Sequence, residues 1–349
     1  MIARRHGLHP SFGRRSLLCS AGAFLLVPAA QANATNWTAF RQKFVVEGRV
    51  VDNGNKDVSH SEGQGWGMLF AESHGDRKTF ELLWDWTRRS LRRDDGLFSW
   101  RWMPGVANPV SDKNDAADGD LLIAWALARA ARRWKEPQWA AQSGFIAAAI
   151  LHNLAVEIDG RLLLLPGIDG FRQNDEATVN LSYYVWPAID ELAKATSDRR
   201  WRRLASDGLW LLDNATFGAH ALPPDWMSFG PQASRIAKGW PPQFGYEAVR
   251  IPLYLAWRGE RARLSRFITA WQATLVGGRP PAFIDLETGA LPGYTASGGF
   301  AAVLELAQLA ANGAPGELPS AKLSDEDDYY AASLKMLSAL AATEAFPTR

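Results

Sequence analysis

Apolar residues recur three and four positions apart along most of the chain, which is the spacing that gives an α-helix one buried face. Eleven stretches follow this pattern: residues 37–45, 62–72, 78–91, 118–134, 138–154, 183–194, 200–212, 246–257, 261–275, 298–311 and 328–342. Strand-like patterns are confined to three short stretches, residues 97–102, 161–165 and 282–286. The chain is therefore predicted to be all-α with a few short strands.

Two of the predicted helices are apolar nearly all round. Residues 116–131 and 145–154 carry too few polar positions for a solvent-facing side of normal width, so they are expected to lie between other helices. Helical hairpins in two layers provide such positions, and about six of them close into an (α/α)6 barrel whose longer, strand-bearing loops gather at the cleft end. An open right-handed solenoid is the alternative, although no repeat of fixed period is visible.

The chain is expected to divide into a leader, residues 1–34, and a single domain, residues 35–349. An apolar run at residues 17–30 is too short to span a bilayer comfortably and is followed by an A-x-A cleavage pattern at residues 32–34. Four arginines precede the run: Arg4, Arg5, Arg14 and Arg15. The GRRSLL segment resembles a twin-arginine signal, with a general secretory signal as the alternative. A periplasmic or secreted protein is predicted, with no stable membrane insertion after the signal is removed.

Composition narrows the classes of function. The 349 residues carry a formal net charge of +1, which gives no basic field to recruit nucleic acid. The one cysteine, Cys19, lies in the leader, so the predicted domain has neither a disulfide nor a thiolate metal site. Sixteen tryptophans are an unusual number. Many must be core, but flat aromatic faces also stack on sugar rings, so the surplus favours a saccharide ligand.

A first candidate acid is Glu62, in the segment DVSHSEGQGWGM, where it stands beside Gly63, Gly65 and Gly67. Glycines remove the side chains that would crowd a carboxylate, so this segment is interpreted as a cleft that a ligand approaches closely. The simpler alternative is that Ser61 caps a helix and Glu62 only favours the positive helix end.

Two further acidic segments begin predicted helices. In NDAADGDLLIAWAL, Asp115, Asp118 and Asp120 crowd one helix start, where capping explains one or two acids but not three. In FGYEAVRIPLYLAW, Glu247 precedes Arg250 by three residues on the same helical face, a spacing that is also common for surface ion pairs.

Other chemistries find little support. The histidines outside the leader lack metal-ligand spacing, no G-x-S-x-G elbow occurs, and neither a P-loop nor a G-x-G-x-x-G after a strand is present. No metal or organic cofactor is therefore predicted. Paired carboxylates remain, and in an exported, tryptophan-rich helical protein they indicate glycoside hydrolysis.

Four segments, SEGQGWGM, DAADGDLLIAWAL, NLSYYVWPAI and GYEAVRIPLYLAW, occur in an order and spacing that resemble glycoside hydrolase family 8. They look most like the periplasmic endoglucanases of bacterial cellulose synthase clusters, over essentially the whole chain after the leader. The resemblance implies an (α/α)6 barrel and endo-hydrolysis of a β-1,4-glucan chain with inversion. It also makes the cellulose synthase complex an expected partner.

The same resemblance implies roles for three acids. Glu62 matches the general acid, for which a raised pKa is expected, and Asp118 matches the residue that holds and distorts the sugar. Glu247 stands where the family's endoglucanases usually have an aspartate as general base, although some members place the base on another segment. Ala117 also departs from the family pattern, which has serine or threonine there.

Six further residues are candidates for the substrate-binding set. Trp100, Trp102, Tyr183 and Tyr184 are expected to stack on sugars or to bond their hydroxyls, with packing in the core as the alternative for each. Tyr246 and Arg250 are expected to orient Glu247.

Two other functions stay open at this point. The glutamate at position 247 favours a glucan-binding partner of the synthase that cleaves slowly or not at all. A hydrolase of the same fold acting on xylan or chitosan is the other alternative, and the near-neutral charge of the chain gives polycationic chitosan little support.

Overall fold

The computed structural model describes residues 29–231, 233–313 and 318–346, and eleven α-helices lie in these ranges. They are α1 (Ala29–Phe44), α2 (Ser61–Ser73), α3 (Arg77–Ser90), α4 (Ala117–Trp134), α5 (Pro137–Asn153), α6 (Trp186–Thr196), α7 (Arg199–Asn214), α8 (Arg250–Arg258), α9 (Ser265–Thr274), α10 (Gly298–Asn312) and α11 (Tyr329–Ala345). All eleven predicted helices are confirmed. Within the described ranges, none is both long and apolar enough to cross a membrane. Residues 1–28 of the predicted leader lie outside the described residues.

Local sequence explains where several helices begin and end. Aspartates at positions 76, 198 and 328 precede α3, α7 and α11, and each side chain accepts a hydrogen bond from a backbone N–H of the first turn. Gly259 and Gly313 follow α8 and α10 with positive φ, the conformation that ends a helix at least cost for glycine.

Twelve short strands occur in the described residues, and all lie in connections that lead into even-numbered helices. They are β1 (Val45–Val46), β2 (Arg49–Val50), β3 (Ser59–His60), β4 (Arg101–Trp102), β5 (Ala155–Ile158), β6 (Arg161–Leu164), β7 (Arg172–Gln173), β8 (Glu176–Val179), β9 (Met227–Phe229), β10 (Arg235–Ile236), β11 (Gln243–Phe244) and β12 (Ile284–Asp285). Antiparallel pairing joins β1 to β2, β3 to β4, β5 to β6 and β11 to β12, and gives a four-stranded sheet of order β10-β9-β8-β7. The predicted strands shorten to β4, β6 and β12.

Connections of opposite kinds alternate along the chain. The links from α2 to α3, α4 to α5 and α6 to α7 are two or three residues long, whereas the links into α2, α4, α6 and α8 carry the strands. Because helices of a hairpin are antiparallel, the long links gather at one end of the molecule, at the N-termini of the even helices. This is the cleft end that the sequence predicts.

The helices form a closed ring. Helices α2, α4, α6 and α8 pack in succession, and α11 packs against both α8 and α2, so no open end remains among these elements. Helices α3, α5 and α7 pack outside their hairpin partners. Phe145, Ala148 and His152 of α5 are exposed, so the prediction that residues 145–154 lack a solvent-facing side is wrong. The (α/α)6 barrel is therefore confirmed, and the open solenoid is wrong.

Glycines bring α2 and α4 into close contact. A Cβ atom on Gly65 would lie 2.5 Å from Leu122 Cβ, and one on Gly119 would lie 2.1 Å from Ser61 Oγ. Gly63 and Gly67 are equally enclosed, by Tyr329 and Val50 respectively. These glycines thus serve packing between elements, and the interpretation that they open a path for a ligand to Glu62 is wrong.

We expect Gly119→Ala to lower the free energy of unfolding by about 1–3 kcal/mol, because the added methyl must displace the start of α2. The matched control is Gly144→Ala in α5, where a Cβ would meet nothing within 4 Å. That change should be neutral or stabilise by up to about 1 kcal/mol through helix propensity. Urea unfolding followed by circular dichroism measures both. Equal effects from the two changes would contradict the close α2–α4 contact.

Candidate active site

Three carboxylates meet one guanidinium at the cleft end of the barrel. Arg250, the first residue of α8, contacts Glu62 Oε1 through Nη1 and Glu247 Oε2 through Nη2. The same Nη1 lies 3.7 Å from Asp118 Oδ2. Glu62 and Asp118 stand in the first turns of α2 and α4, and Glu247 lies in the turn before α8. The structure therefore brings together all three predicted acids and Arg250.

The spacing of the two glutamates follows from this shared partner. Two carboxylates bonded to different nitrogens of one guanidinium lie within about 8 Å of each other at ordinary hydrogen-bond lengths. Arg250 is 3% exposed, whereas the Glu247 side chain keeps 33% of its accessible surface. Both glutamate side chains thus remain partly accessible to solvent, whereas the guanidinium is buried.

Two polar residues that the sequence analysis did not identify complete this cluster. Ser182 Oγ accepts a hydrogen bond from Arg250 Nη2 at 2.9 Å, and Asn180 Nδ2 donates to Glu247 Oε2 at 3.2 Å. Asn180 Oδ1 accepts from Ser182 Oγ at 2.7 Å. Both residues lie in the NLSYY segment around the 3-10 turn Leu181–Tyr183, so this turn helps to fix Arg250 and Glu247 relative to each other.

Electrostatics favours the protonated form of two acids. Burial, together with the carboxylates of Asp225 and Asp118, raises the pKa of Glu247 to about 8. Burial raises the pKa of Asp118 to about 7. Three carboxylates on one cation cannot all ionise cheaply, so the cluster holds at least one proton near neutral pH.

The acids flanking Asp118 secure loops instead of capping α4. Asp115 Oδ1 accepts from the backbone N–H of Ile168, and Asp120 Oδ1 accepts from that of Phe98, both at 2.9 Å. Burial raises the pKa of both carboxyls. The explanation of these acids by capping is therefore wrong for both.

The start of α2 also differs from the simpler alternative. His60 occupies the cap position of α2, and Ser61 is the first helical residue, with its hydroxyl buried and unbonded among the described residues. Glu62 nevertheless lies in the first turn, where the helix dipole favours a negative charge. Ser61 as a helix cap is therefore wrong.

Of the predicted aromatic contacts, Tyr183 and Trp100 border the cluster. The Tyr183 ring lies 5.7 Å from the Arg250 guanidinium carbon. The carbonyl oxygen of Trp100 accepts from Ser61 N at 2.9 Å, and its half-buried ring stacks on His60 just before α2. Both remain predicted substrate contacts.

Three other aromatic side chains that were predicted to belong to the site do not lie beside the acids. Tyr184 is wrong as a ligand contact, because it is fully buried and its hydroxyl oxygen accepts from Leu164 N at 2.8 Å. Trp102 packs edge-on against Trp86 of the outer helix α3. The Tyr246 ring is exposed and packs against Phe300 and Tyr330, so Arg250 and not Tyr246 orients Glu247.

A row of aromatic rings extends from the cluster to the surface. Tyr183 meets Trp226 edge-on, and Trp226 is stacked between Phe171 and Trp240, whose ring centroid lies 4.0 Å from that of Trp226. Trp240 is 40% exposed, so the row reaches the protein surface at this residue. Ten of the sixteen tryptophans are buried, which shows that their number mainly reflects the core and does not by itself locate this row.

The chain matches known proteins over nearly its whole length. The model of "Glycosyl hydrolases family 8" matches residues 16–344. A protein named "Probable endoglucanase" from Novacetimonas hansenii is 42% identical over 340 residues, which cover 96% of this chain and 97% of that protein.

Two solved structures are also similar to this chain over most of its length. The endo-β-1,4-glucanase CMCax from Acetobacter xylinum has a TM-score of 0.84 at 40% identity and covers 90% of this chain and 99% of its own. The endoglucanase Cel10 from Klebsiella pneumoniae, described as a family 8 glycosyl hydrolase, has a TM-score of 0.83 at 40% identity and covers 89% and 99%.

The raised pKa of Glu247 predicts how stability depends on pH. A carboxyl whose pKa is about 8 when folded and 4.5 when unfolded binds more protons in the folded state between these values. Its contribution to stability is therefore full at low pH and is lost as pH rises from about 4.5 to about 8. We expect Glu247→Gln to flatten the decline in unfolding free energy over this window. Urea unfolding at pH 5, 6, 7 and 8 measures it, and parallel curves for parent and variant would contradict the shift.

Proposed function

The chain belongs to glycosyl hydrolases family 8, and we propose that it is an inverting endo-β-1,4-glucanase whose chemistry is carried by the carboxylates around Arg250. The family and the named relatives make it a glycoside hydrolase of the endoglucanase type. The observation that carries the mechanism is the sharing of one buried guanidinium by Glu62 and Glu247.

Glu62 is proposed as the general acid. Protonation of the glycosidic oxygen lets the leaving chain depart as a neutral alcohol, and the proton must come from a side chain held beside the bond. Glu62 is fixed by helix α2 and by Arg250, and 16% of its side chain stays accessible to solvent. A rigid acid on a helix start suits a group that must approach one oxygen.

Glu247 is proposed as the general base. Inversion needs a carboxylate that takes a proton from water on the face of the sugar opposite the acid, with the carboxyl groups roughly 6.5–9.5 Å apart. The shared guanidinium limits the separation of the two carboxyl groups to about 8 Å, which is compatible with the lower part of this range, and the exposed part of Glu247 is accessible to water. Glu247 acts as a base only when it is ionised, and because its pKa is raised to about 8, the ionised fraction grows as pH rises towards that value.

Asp118 is proposed to hold the sugar ring at the cleavage point. It lies on the Arg250 side that faces Glu62, and its pKa of about 7 allows it either to donate or to accept a hydrogen bond near neutral pH. Hydrogen bonds to a distorted ring contribute most when they strengthen in the transition state.

The proposed substrate is a β-1,4-glucan chain. The aromatic row from Tyr183 to Trp240 provides apolar faces next to polar groups, which matches the apolar faces and polar rim of a glucose unit. We further propose that the leader directs the protein to the periplasm and that it acts beside a cellulose synthase complex. The arginine-containing leader and the resemblance of the four motifs support this proposal.

We expect variants of the two glutamates to respond differently to substrates with different leaving groups. On cello-oligosaccharides, both Glu62→Gln and Glu247→Gln should lose about 10²–10⁴-fold in kcat. On a dinitrophenyl cello-oligoside, whose leaving group needs no proton, Glu62→Gln should recover most of its activity and Glu247→Gln should not. Glu247→Asp is expected to lower kcat about tenfold, because Oε2 makes the contacts to both Arg250 and Asn180.

Recovery by Glu247→Gln and not by Glu62→Gln would exchange the roles of acid and base. A Glu247→Gln enzyme that keeps more than about a tenth of parental activity would place the base elsewhere, with Asp118 and Asp115 as the next residues to test.

Loss of the exposed ring of the aromatic row is expected to weaken substrate binding without slowing the chemical step. Trp240→Ala should raise KM for cello-oligosaccharides about 3–10-fold with kcat nearly unchanged, because a stacking contact far from the acids binds ground state and transition state alike. Trp240→Phe should retain most of the affinity. Phe145→Ala, which removes an exposed ring from the outer helix α5, is the matched control and should leave KM at the parental value. An unchanged KM in Trp240→Ala would exclude this surface from substrate binding.

A further inference from the structure

Asp225 is a buried carboxylate close to the three acids of the site. The proposed mechanism does not use it. It is 4% exposed and lies in the loop before β9, directly before Trp226. Burying a carboxylate costs several kcal/mol unless hydrogen bonds replace its water. The groups that hydrogen-bond to Asp225 therefore show which part of the structure this carboxylate stabilises.

All partners of Asp225 lie in the segment that carries Glu247. Its Oδ1 accepts from the backbone N–H groups of Gly245 and Ala248, at 2.9 and 2.8 Å. Its Oδ2 accepts from Gln243 Nε2 at 3.0 Å, and its own N–H donates to the Gln243 carbonyl at 2.7 Å. Hydrogen bonds thus hold the turn on both sides of Glu247.

We propose, building on the function proposed above, that Asp225 is a positioning residue for Glu247. Its carboxylate fixes the 245–248 turn through charge-assisted hydrogen bonds and places a negative charge beside the glutamate. A glutamate has one more rotatable bond than the aspartate usual at this position, so its carboxylate depends more strongly on where the backbone is held.

The surroundings of Glu247 identify Asp225 as a main source of negative charge there. Asp225 and Asp118 both raise the pKa of Glu247, and Asp225 has the larger effect of the two. The charged and titratable groups that face Glu247 come from five elements: Arg250 of α8, Asp118 of α4, Asp225 of the loop before β9, Tyr183 of the 3-10 turn and Tyr330 of α11. Glu62 of α2 reaches it through Arg250.

Asp225→Asn separates the charge from the hydrogen bonds. The amide oxygen can still accept from Gly245 and Ala248, and the Gln243 amide can turn to accept from the new NH2 group. Only ionised Glu247 acts as a base, so the acidic limb of the kcat/KM profile follows its pKa. Removing the negative charge favours the ionised form, and the limb should move to lower pH by about half a unit or more.

The profile is measured with cellohexaose, which carries no titrating group. Asp207→Asn is the matched control. Asp207 lies on the outer helix α7, and its buried carboxylate accepts a hydrogen bond from the backbone N–H of Leu162. Asp207→Asn should leave the acidic limb of the kcat/KM profile at the parental pH. An acidic limb that stays at the parental pH in Asp225→Asn would overturn the proposal. A large activity in Glu247→Gln would instead refute the assignment of the base, so the two failures are distinct.

A second variant tests the positioning role if Asp225→Asn does not fold. A Cβ on Gly245 would lie 3.0 Å from Asp225 Oδ2 and 2.9 Å from Gln243 Nε2, so Gly245→Ala must displace these hydrogen bonds while the charge remains. We expect kcat to fall at least tenfold with KM within threefold of the parent. Parental kcat in this variant would contradict a positioning role for Asp225.

Discussion

The structure depends on one buried cation. Arg250 is nearly inaccessible to solvent and neutralises carboxylates from three separate segments of the chain. Full ionisation of all three acids would leave an excess of two negative charges in a region of low dielectric, which is strongly unfavourable. The raised pKa values of Asp118 and Glu247 relieve this excess. An acid–base pair also needs one carboxyl protonated and the other ionised at one pH, so Glu247 serves as the base only in molecules in which Glu247 has lost its proton.

The fold was predictable because its signal is periodic. Each helix repeats its buried positions over several turns, so one sequence is enough to identify it, and the alternation of short and long loops then indicates hairpins. Most strands contain only two residues and owe their existence to a partner, so alternation within a single strand cannot reveal them. Glycines illustrate a different limit. Gly65 and Gly119 mark a close approach in either interpretation, and only the structure shows that the approaching group is another helix.

The site was predictable where acids stand at helix starts within distinctive motifs, as Glu62, Asp118 and Glu247 do. Residues that act through loops, such as Asn180, Asp225 and Trp240, have no periodic signature and meet their partners only after folding. Tyr183 and Tyr184 show the limit most clearly. They are adjacent in sequence and of the same type, yet one ring lies beside Arg250 and the other packs in the core against Gly208.

The glutamate at position 247 is held both by contacts to its side chain and by contacts to its backbone. An extra methylene moves a carboxylate by more than one ångström, a displacement that is large compared with the tolerance of a reacting geometry. In this chain the longer side chain ends on Arg250 and Asn180, while Asp225 and Gln243 hold the turn beneath it. Because the turn, the cation and the amide are each fixed by a different element, the position of the carboxylate is over-determined. Such a site tolerates a change of side-chain length only if these supports are arranged together, so position 247 and its anchors are best understood as a single unit.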